Sequence, residues 1–176
     1  MIEFFNVVTA LKDVKRKGWI QKVNIKNSES VADHSYSMTV IAMILADSLN
    51  LDTNKVMKMS LLHDLTESIT GDLVPHEISK QEKLELENKT MSHILLDLPS
   101  ELNTYYKKIW NEYQEGKTKE AVLVHETDHL EMALQAKKYQ KLGYSSDLLE
   151  EFFDSAKKGI KNPELLKILD TFQLKK

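Results

Sequence analysis

Residues 51–68, LDTNKVMKMSLLHDLTES, place a histidine beside an aspartate inside a segment with the apolar period of an α-helix. On a helical wheel with about 100° per residue, His63 shares a face with Val56, and Asp64 lies one step further round. Ser60 lies between His63 and Asp64, where a larger side chain would fill the space. The spacing therefore allows both side chains to reach one metal ion. Without further ligands, the pair would instead be a core histidine next to an aspartate that pairs with a lysine.

Most of the remaining chain also has helical period, which predicts an all-α bundle. The helix of the His-Asp pair should begin at Asp52 or Thr53, which are good N-cap residues, and end near Gly71 and Pro75. Further helices are expected over residues 30–50, 79–96, 99–114, 118–142, 146–158 and 163–171. No segment alternates polar and apolar residues in the manner of a strand, so a sheet is not expected.

The helix of residues 30–50 puts a second histidine on a buried face. Ser30 and Asp33 are three residues apart, which is the spacing of a capping box at a helix start. His34 then shares an apolar stripe with Val31. We therefore expect the His34 imidazole to point into the protein.

The composition indicates one domain without disulfides. The chain has 176 residues and no cysteine, and no repeat or linker-like segment divides it, so we expect a single domain over residues 1–176. The lack of cysteine excludes thiolate metal sites and cysteine nucleophiles and fits the cytoplasm. The longest apolar stretch is far shorter than the roughly 20 residues of a membrane-spanning helix. A cytoplasmic protein without a membrane anchor is therefore expected.

The net charge argues against nucleic-acid binding, but one basic patch differs from the rest of the chain. A charge of −3 does not supply the basic surface that nucleic acids require. The patch covers residues 12–26 and contains Arg16, the one arginine among 24 basic residues. A guanidinium makes two-pronged contacts with phosphate or carboxylate. Arg16 is thus a candidate anion ligand, with a solvated surface position as the alternative.

The helix of residues 118–142 carries an aspartate on its inward face. Asp128 falls between Val124 and Met132 on the wheel, beside a polar stripe that includes Glu131. Burial of an unpaired carboxylate is strongly unfavourable, so Asp128 needs a cationic partner or a metal. Three separate helices therefore offer inward-facing groups of the types that bind first-row metals.

Three motifs, in order, resemble the H…HD…D signature of the HD-domain metal-dependent phosphohydrolases. They are ESVADHS at residues 29–35, LLHDLTE at residues 61–67 with GD closely after it, and ETDHLEM at residues 126–132. The resemblance implies an HD-domain helical bundle and a cofactor that is one divalent transition metal: manganese, cobalt, iron, nickel or zinc. The metal ligands that it implies are His34, His63, Asp64 and Asp128.

Within this group, the chain is most similar to the small 5'-deoxynucleotidases, on the strength of HDLTE followed by GD and of LKDVKRKGW near the N-terminus. That similarity implies that Arg16 contacts the substrate phosphate and that Trp19 and Asp72 contact the sugar, with Asp72 also in the catalytic set. Glu67 would orient the attacking water or carry its proton. The alternatives are a core tryptophan at Trp19 and an exposed helix-end carboxylate at Glu67.

The expected reaction is removal of phosphate from (deoxy)nucleoside 5'-monophosphates, so a small-molecule nucleotide is the expected partner. A hydrolase of triphosphates or phosphodiesters, a non-catalytic nucleotide sensor and a structural helical adaptor are the alternatives. The resemblance also implies a homodimer. A second apolar stripe on the helix of residues 118–142 would lie either in the centre of the monomer or at a subunit interface. It consists of Leu123, Leu130 and Leu134.

Other histidines allow rival metal sites. His125 and His129 flank Asp128 with the four-residue spacing of a helical metal clamp. His76 and His93 would be candidates for a two-metal centre, although neither falls in a matching motif. We expect a single metal ion held by the four-residue set.

Overall fold

The computed structural model describes residues 1–74 and 77–172, and its regular elements there are helices. In chain order they are α1 Ile2–Ala10, α2 Lys17–Val23, α3 Val31–Ser48, α4 Thr53–Leu62, α5 Glu67–Thr70, α6 Lys80–Leu95, α7 Ser100–Glu115, α8 Lys119–Lys141, α9 Ser146–Gly159 and α10 Pro163–Thr171. Extended backbone pairs in this part of the chain only at an isolated bridge between Lys15 and Ser30. The prediction of an all-α fold is confirmed.

Helix α8 lies at the centre of the bundle, where it packs against α3, α4, α7, α9 and α10. Leu123 and Leu130 of α8 are buried in the main core, and Leu134 packs against that core from a half-buried position. The apolar stripe of α8 therefore belongs to the monomer core rather than to a subunit interface. In the part of the chain that the structure describes, no helix is long and apolar enough to cross a membrane.

The start of α3 is fixed by the predicted capping box. The Ser30 hydroxyl accepts a hydrogen bond from the N–H of Asp33 at 3.1 Å, and the Asp33 carboxylate accepts one from the N–H of Ser30 at 2.8 Å. The segment before α2 runs alongside this start, because the N–H of Arg16 donates to the carbonyl of Glu29 at 3.1 Å. These bonds hold Arg16 beside the turn that leads to His34.

The helix of the His-Asp pair is shorter than predicted. Residues 63–66 form a tight turn in which the N–H of Glu67 donates to the carbonyl of Asp64, three residues back, at 3.0 Å. Nδ1 of His63 hydrogen-bonds the carbonyl of Ser60 at 2.7 Å, and such a side-chain bond competes with the continuing backbone ladder. The backbone at residues 63–66 therefore departs from the continuous helix that the helical wheel assumed.

The other predicted boundaries agree closely with the structure. Asp52 is the N-cap of α4 and accepts the N–H of Lys55 at 3.0 Å. Gly71 follows α5 with a φ of +73°, a conformation that suits glycine, whereas Pro75 lies outside the described residues. Helices α6 to α10 begin and end within one residue of their predicted ranges. Helices α1 and α2 were not predicted.

Candidate metal centre and substrate cleft

The four predicted metal ligands lie close together, and three of them, His34, His63 and Asp128, form one compact cluster. His34 lies on α3 and Asp128 on α8, while the His-Asp pair directly follows α4. The Nε2 atoms of His34 and His63 are 3.3 Å apart, and Oδ1 of Asp128 lies 3.2 Å from Nε2 of His34. Oδ2 of Asp64 lies 3.1 Å from Nε2 of His63. One donor atom from each of His34, His63 and Asp128 lies within 4.8 Å of the others, which is close enough to share an ion.

Both imidazoles are oriented by a hydrogen bond at the nitrogen that faces away from this cluster. Nδ1 of His34 lies 2.6 Å from Oε2 of Glu131, and Nδ1 of His63 lies 2.7 Å from the carbonyl of Ser60. Such partners leave Nε2 of each ring directed inward and increase its basicity as a ligand. The arrangement of outer hydrogen bonds is therefore the one that metal-binding histidines adopt.

The site concentrates charge in a buried place. Burial and the Arg16 charge would lower the pKa of His34, but hydrogen bonds to Asp128 and Glu131 raise it to about 10. Burial would raise the pKa of Asp64, but the two histidines and Arg16 hold it well below its usual range. Burial would also raise the pKa of Asp128, but the hydrogen bond and the charge of His34 hold it well below its usual range. Asp128 keeps 37% of its side-chain exposure, so solvent reaches the centre on that side.

Arg16 lies at the edge of the metal centre. Its Nη1 is 3.6 Å from Oδ2 of Asp64, and its side chain is only 16% exposed. The solvated surface position that the sequence also allowed is therefore wrong. Asp64 therefore holds the guanidinium of Arg16 beside the centre, and the carbonyl of Glu29 holds its backbone N–H.

Glu67 is buried close to the same centre. Its residue exposure is 3%, so the alternative of an exposed helix-end carboxylate is wrong. Burial and the nearby charges of Asp64 and Asp72 raise its pKa well above the usual value. Oε2 of Glu67 is buried and has no hydrogen-bond partner within the described ranges. A buried carboxylate oxygen of this kind is available to a water molecule or a metal ion.

A cleft of about 300 Å³ brings the predicted substrate contacts together. Arg16, Trp19 and Asp72 all line it. Phe152 of α9 and Met132 of α8 also line it. Because Arg16 belongs both to this cleft and to the edge of the metal centre, the cleft opens beside the predicted ligands.

Trp19 and Asp72 are held firmly in the cleft wall. Trp19 is 1% exposed, its indole N–H donates to Oε1 of Glu29 at 3.0 Å, and its ring stacks on Phe152 with centroids 4.0 Å apart. Oδ2 of Asp72 accepts the N–H of Lys17 at 2.6 Å. Trp19 is thus a core tryptophan by packing, and it also forms part of the cleft wall.

Among residues 1–74 and 77–172, the rival histidines do not form a metal site. Nε2 of His125 hydrogen-bonds the carbonyl of Tyr113 at 2.9 Å, and its ring stacks on the Tyr113 ring. The ring of His129 packs over Gly159 at the end of α9. His93 is exposed on α6. None of these three histidines belongs to a metal-like cluster in the described part of the chain, and His76 lies outside it.

Sequence reasoning assigned no role to three charged residues at the site. Glu131 was placed on a polar stripe, yet it is buried against His34. Its position three residues after Asp128, on nearly the same helical face, was a signal for a shared site. Glu29 belongs to the quoted ESVADHS motif and bonds Trp19. Lys83 on α6 lies 3.9 Å from Oε1 of Glu67, and nothing in the sequence indicated that contact.

Comparison with known proteins identifies similar chains. A family model described as "HD domain" matches residues 8–168. The 5'-deoxynucleotidase HDDC2 of Danio rerio is 39% identical over 170 residues, which cover 96% of this chain and 84% of the relative. The 5'-deoxynucleotidase HDDC2 of Dictyostelium discoideum is 38% identical over 173 residues, which cover 92% of this chain and 90% of that relative.

A solved structure has the same architecture. The structure of a conserved hypothetical protein from Pyrococcus furiosus superposes with a TM-score of 0.82 at 30% identity and covers 98% of both chains. A protein from Pyrococcus horikoshii gives a TM-score of 0.80, also at 30% identity and 98% coverage of both chains. The similarity therefore extends over the whole bundle rather than over the metal centre alone.

Proposed function

The chain belongs to the HD-domain family, and we propose on that basis that it is a metal-dependent phosphohydrolase of (deoxy)nucleoside 5'-monophosphates. The observation that carries the proposal is one cluster: two imidazole Nε2 atoms 3.3 Å apart, two carboxylates beside them, and the guanidinium of Arg16 3.6 Å from Asp64. These groups supply a metal site and an anion site within one region. The relatives named above are called 5'-deoxynucleotidases, which favours a monophosphate substrate.

The residues fit a divalent transition metal. Two imidazoles and two carboxylates balance the charge of a divalent cation, and the mixed nitrogen and oxygen donors favour manganese, cobalt, iron, nickel or zinc over calcium. The outward hydrogen bonds of both histidines leave Nε2 for such an ion. When bound, the ion would supply an activated water and would neutralise charge on a phosphate oxygen.

Arg16 and the cleft would hold the substrate. The planar guanidinium suits two oxygens of a phosphate monoester, and it lies where the cleft meets the metal centre. Asp72 would accept a hydrogen bond from a sugar hydroxyl at Oδ1, since its Oδ2 already accepts the N–H of Lys17. The rigid Trp19 indole would form the wall that leaves no room for an additional ribose hydroxyl.

Glu67 would act on the attacking water. Its oxygen without a hydrogen-bond partner would orient the water and accept its proton. The water oxygen would then bond to phosphorus as the bond from phosphorus to the 5'-oxygen breaks, and the proton that Glu67 accepted would balance the one that the leaving 5'-oxygen takes up. The products are inorganic phosphate and a nucleoside. Asp72, whose charge raises the pKa of Glu67, would favour proton uptake by Glu67.

The activity can be tested with purified protein and a panel of nucleotides. We expect manganese or cobalt to support phosphate release from deoxynucleoside monophosphates, and we expect chelator or Asp64→Ala to abolish it. Phosphate release that survives both treatments would contradict the metal-dependent mechanism. Asp170→Ala, at an exposed position on α10, is a matched control for loss of a carboxylate.

Product analysis separates the alternatives. Pyrophosphate or tripolyphosphate from a triphosphate, or cleavage of a diester, would indicate another hydrolase of the same architecture. Nucleotide-dependent melting shifts without any turnover would indicate a sensor. We expect neither, because Glu67 is buried close to the predicted metal ligands, and a sensor would need no residue to act on water.

Three further points belong to this proposal. We propose a single domain over residues 1–176 and a cytoplasmic location, both on the basis of the sequence. We also retain a homodimer, although the apolar stripe on α8 no longer supports it because Leu123 and Leu130 are buried within the monomer. Sedimentation of the purified protein would test the dimer directly.

A further inference from the structure

Lys83 reaches the site from a helix that contributes no predicted ligand. It lies on α6, its side chain is 36% exposed, and its Nζ is 3.9 Å from Oε1 of Glu67. Within residues 1–74 and 77–172, this is the one ion pair that Glu67 forms. A lysine beside a nearly enclosed carboxylate offsets part of the free energy that burial of the negative charge requires.

The Lys83 ammonium is itself held in place. Its Nζ also lies 3.5 Å from Oε1 of Glu87, one turn further along α6. The other oxygen of Glu87 accepts the side-chain amide of Gln114 on α7 at 3.4 Å. The indole N–H of Trp110 on α7 donates to Asn88 on α6 at 2.7 Å. Helix α7 therefore fixes the part of α6 from which Lys83 extends.

The two oxygens of Glu67 have different surroundings. Oε1 faces the Lys83 ammonium, whereas Oε2 is buried without a hydrogen-bond partner in the described residues. The ion pair of Lys83 with Oε1 favours the orientation of the carboxylate in which Oε1 faces the ammonium. Oε2 is then the oxygen that remains for water.

We propose that Lys83 is a positioning residue that holds Glu67 through Oε1, so that Oε2 is presented to the water that attacks phosphorus. This inference rests on the proposed function and extends it to a residue outside the H…HD…D motif. Lys83 acts through Glu67 and touches neither the substrate nor the metal ion. Arg16, beside Asp64, remains the proposed phosphate ligand.

The central test is the kinetics of Lys83→Met, which removes the charge but keeps the length of the side chain. We expect kcat to fall by about 10- to 100-fold, as for loss of other residues that orient an active-site group, with little change in KM. Lys83→Arg should recover most of kcat because it restores a cation. Lys89→Met, an exposed lysine on the same helix, is the matched control for loss of one positive charge and should leave kcat unchanged.

A double variant tests whether Lys83 acts through Glu67. If it does, Lys83→Met combined with Glu67→Gln should be no slower than Glu67→Gln alone, because the two losses act on one step. Additive losses would overturn the proposal. A rise in KM with unchanged kcat would also overturn it, since that result would make Lys83 a substrate-binding residue.

A structural readout separates this inference from the proposed function. Crystal structures of the wild type and of Lys83→Met, both with manganese, should show a displaced or rotated Glu67 carboxylate in the variant alone. An unmoved carboxylate would overturn the role of Lys83 even if the enzyme hydrolyses monophosphates. A displaced carboxylate in a protein that hydrolyses none of them would uphold the positioning contact and refute the activity.

Discussion

The carboxylate of Glu131 lies 2.6 Å from Nδ1 of His34, on the side of the ring opposite the other predicted ligands. Both residues are buried, and both lie on helices that pack against each other in the core. A carboxylate in this position fixes the tautomer and the orientation of a metal-binding imidazole. We therefore expect the predicted metal centre to depend on a residue outside the four-ligand motif.

Glu131→Gln should weaken metal binding without removing a ligand. The amide keeps the size of the side chain but loses the charge that favours a proton on Nδ1, so manganese affinity should fall by about 10- to 100-fold. Titration calorimetry of the metal-free protein measures this change. Glu115→Gln, at an exposed position on α7, is the control. Equal manganese affinity of wild type and Glu131→Gln would refute the orienting role.

Metal binding should release protons at neutral pH. In the metal-free chain, the pKa of His34 is raised from 6.5 to about 10, so its ring carries a proton that must leave before Nε2 can bind an ion. Apparent metal affinity should therefore rise with pH up to about 10. Calorimetry in buffers with different ionisation enthalpies counts the protons. Uptake of metal without proton release would contradict this assignment.

The same raised pKa predicts a change in stability with pH. A group whose pKa is higher in the folded than in the unfolded state stabilises the fold below the unfolded pKa and loses that contribution as pH rises. For His34 this window runs from about 6.5 to about 10. The Tm of metal-free protein should fall across the window, and saturating manganese should reduce the fall. A Tm that rises there in metal-free protein would contradict the prediction.

Trp19→Phe should reduce discrimination between deoxyribose and ribose monophosphates. Phenylalanine preserves an aromatic ring against Phe152 but loses the indole edge that Glu29 fixes, so the cleft wall becomes smaller and looser. The ratio of the two kcat/KM values measures the effect. Trp110→Phe is the matched control, because Trp110 is also buried and also donates to a side-chain oxygen, but on α7. An unchanged ratio in Trp19→Phe would limit Trp19 to packing.

Glu126→Ala should destabilise the fold and leave the chemistry intact. The two oxygens of this buried carboxylate accept the N–H groups of Lys161 at 2.9 Å and Asn162 at 3.1 Å, which fix the start of α10 against α8. Loss of a charged acceptor of this kind should lower the free energy of unfolding by about 1.5–3 kcal/mol. Urea unfolding measures the loss, and kcat at low temperature should match the wild type. Glu115→Ala should change neither.

The helices that a single sequence predicted well are those with strong local signals. Two such signals are the capping box of Ser30 and Asp33 and the N-cap at Asp52. Each joins residues three apart, so the sequence alone was sufficient to place the start of the helix. Helices α1 and α2 were missed because they are short and neither begins with a side-chain cap, so their positions depend on tertiary packing rather than on a local signal. Trp19 of α2, for example, packs on Tyr139 and Phe152, far away in the chain.

The sequence indicated the candidate metal ligands but not the hydrogen bonds and ion pairs that surround them. His34 and Asp128 were assigned from inward-facing positions, because burial of a lone polar group requires a partner. The turn at residues 63–66 was missed because a helical wheel assumes constant rotation. Lys83 was missed because long-range contacts leave no period in the sequence. Such contacts are fixed by packing between helices rather than by spacing along one helix.

Helix α8 runs through the middle of the bundle and also carries Asp128, so the predicted metal centre and the hydrophobic interior share one backbone segment. We therefore expect heating to unfold the metal centre and the core in one cooperative transition. Inactivation curves and melting curves of the metal-loaded protein should coincide. The working temperature range of the enzyme would then be set by the cooperativity of the entire bundle.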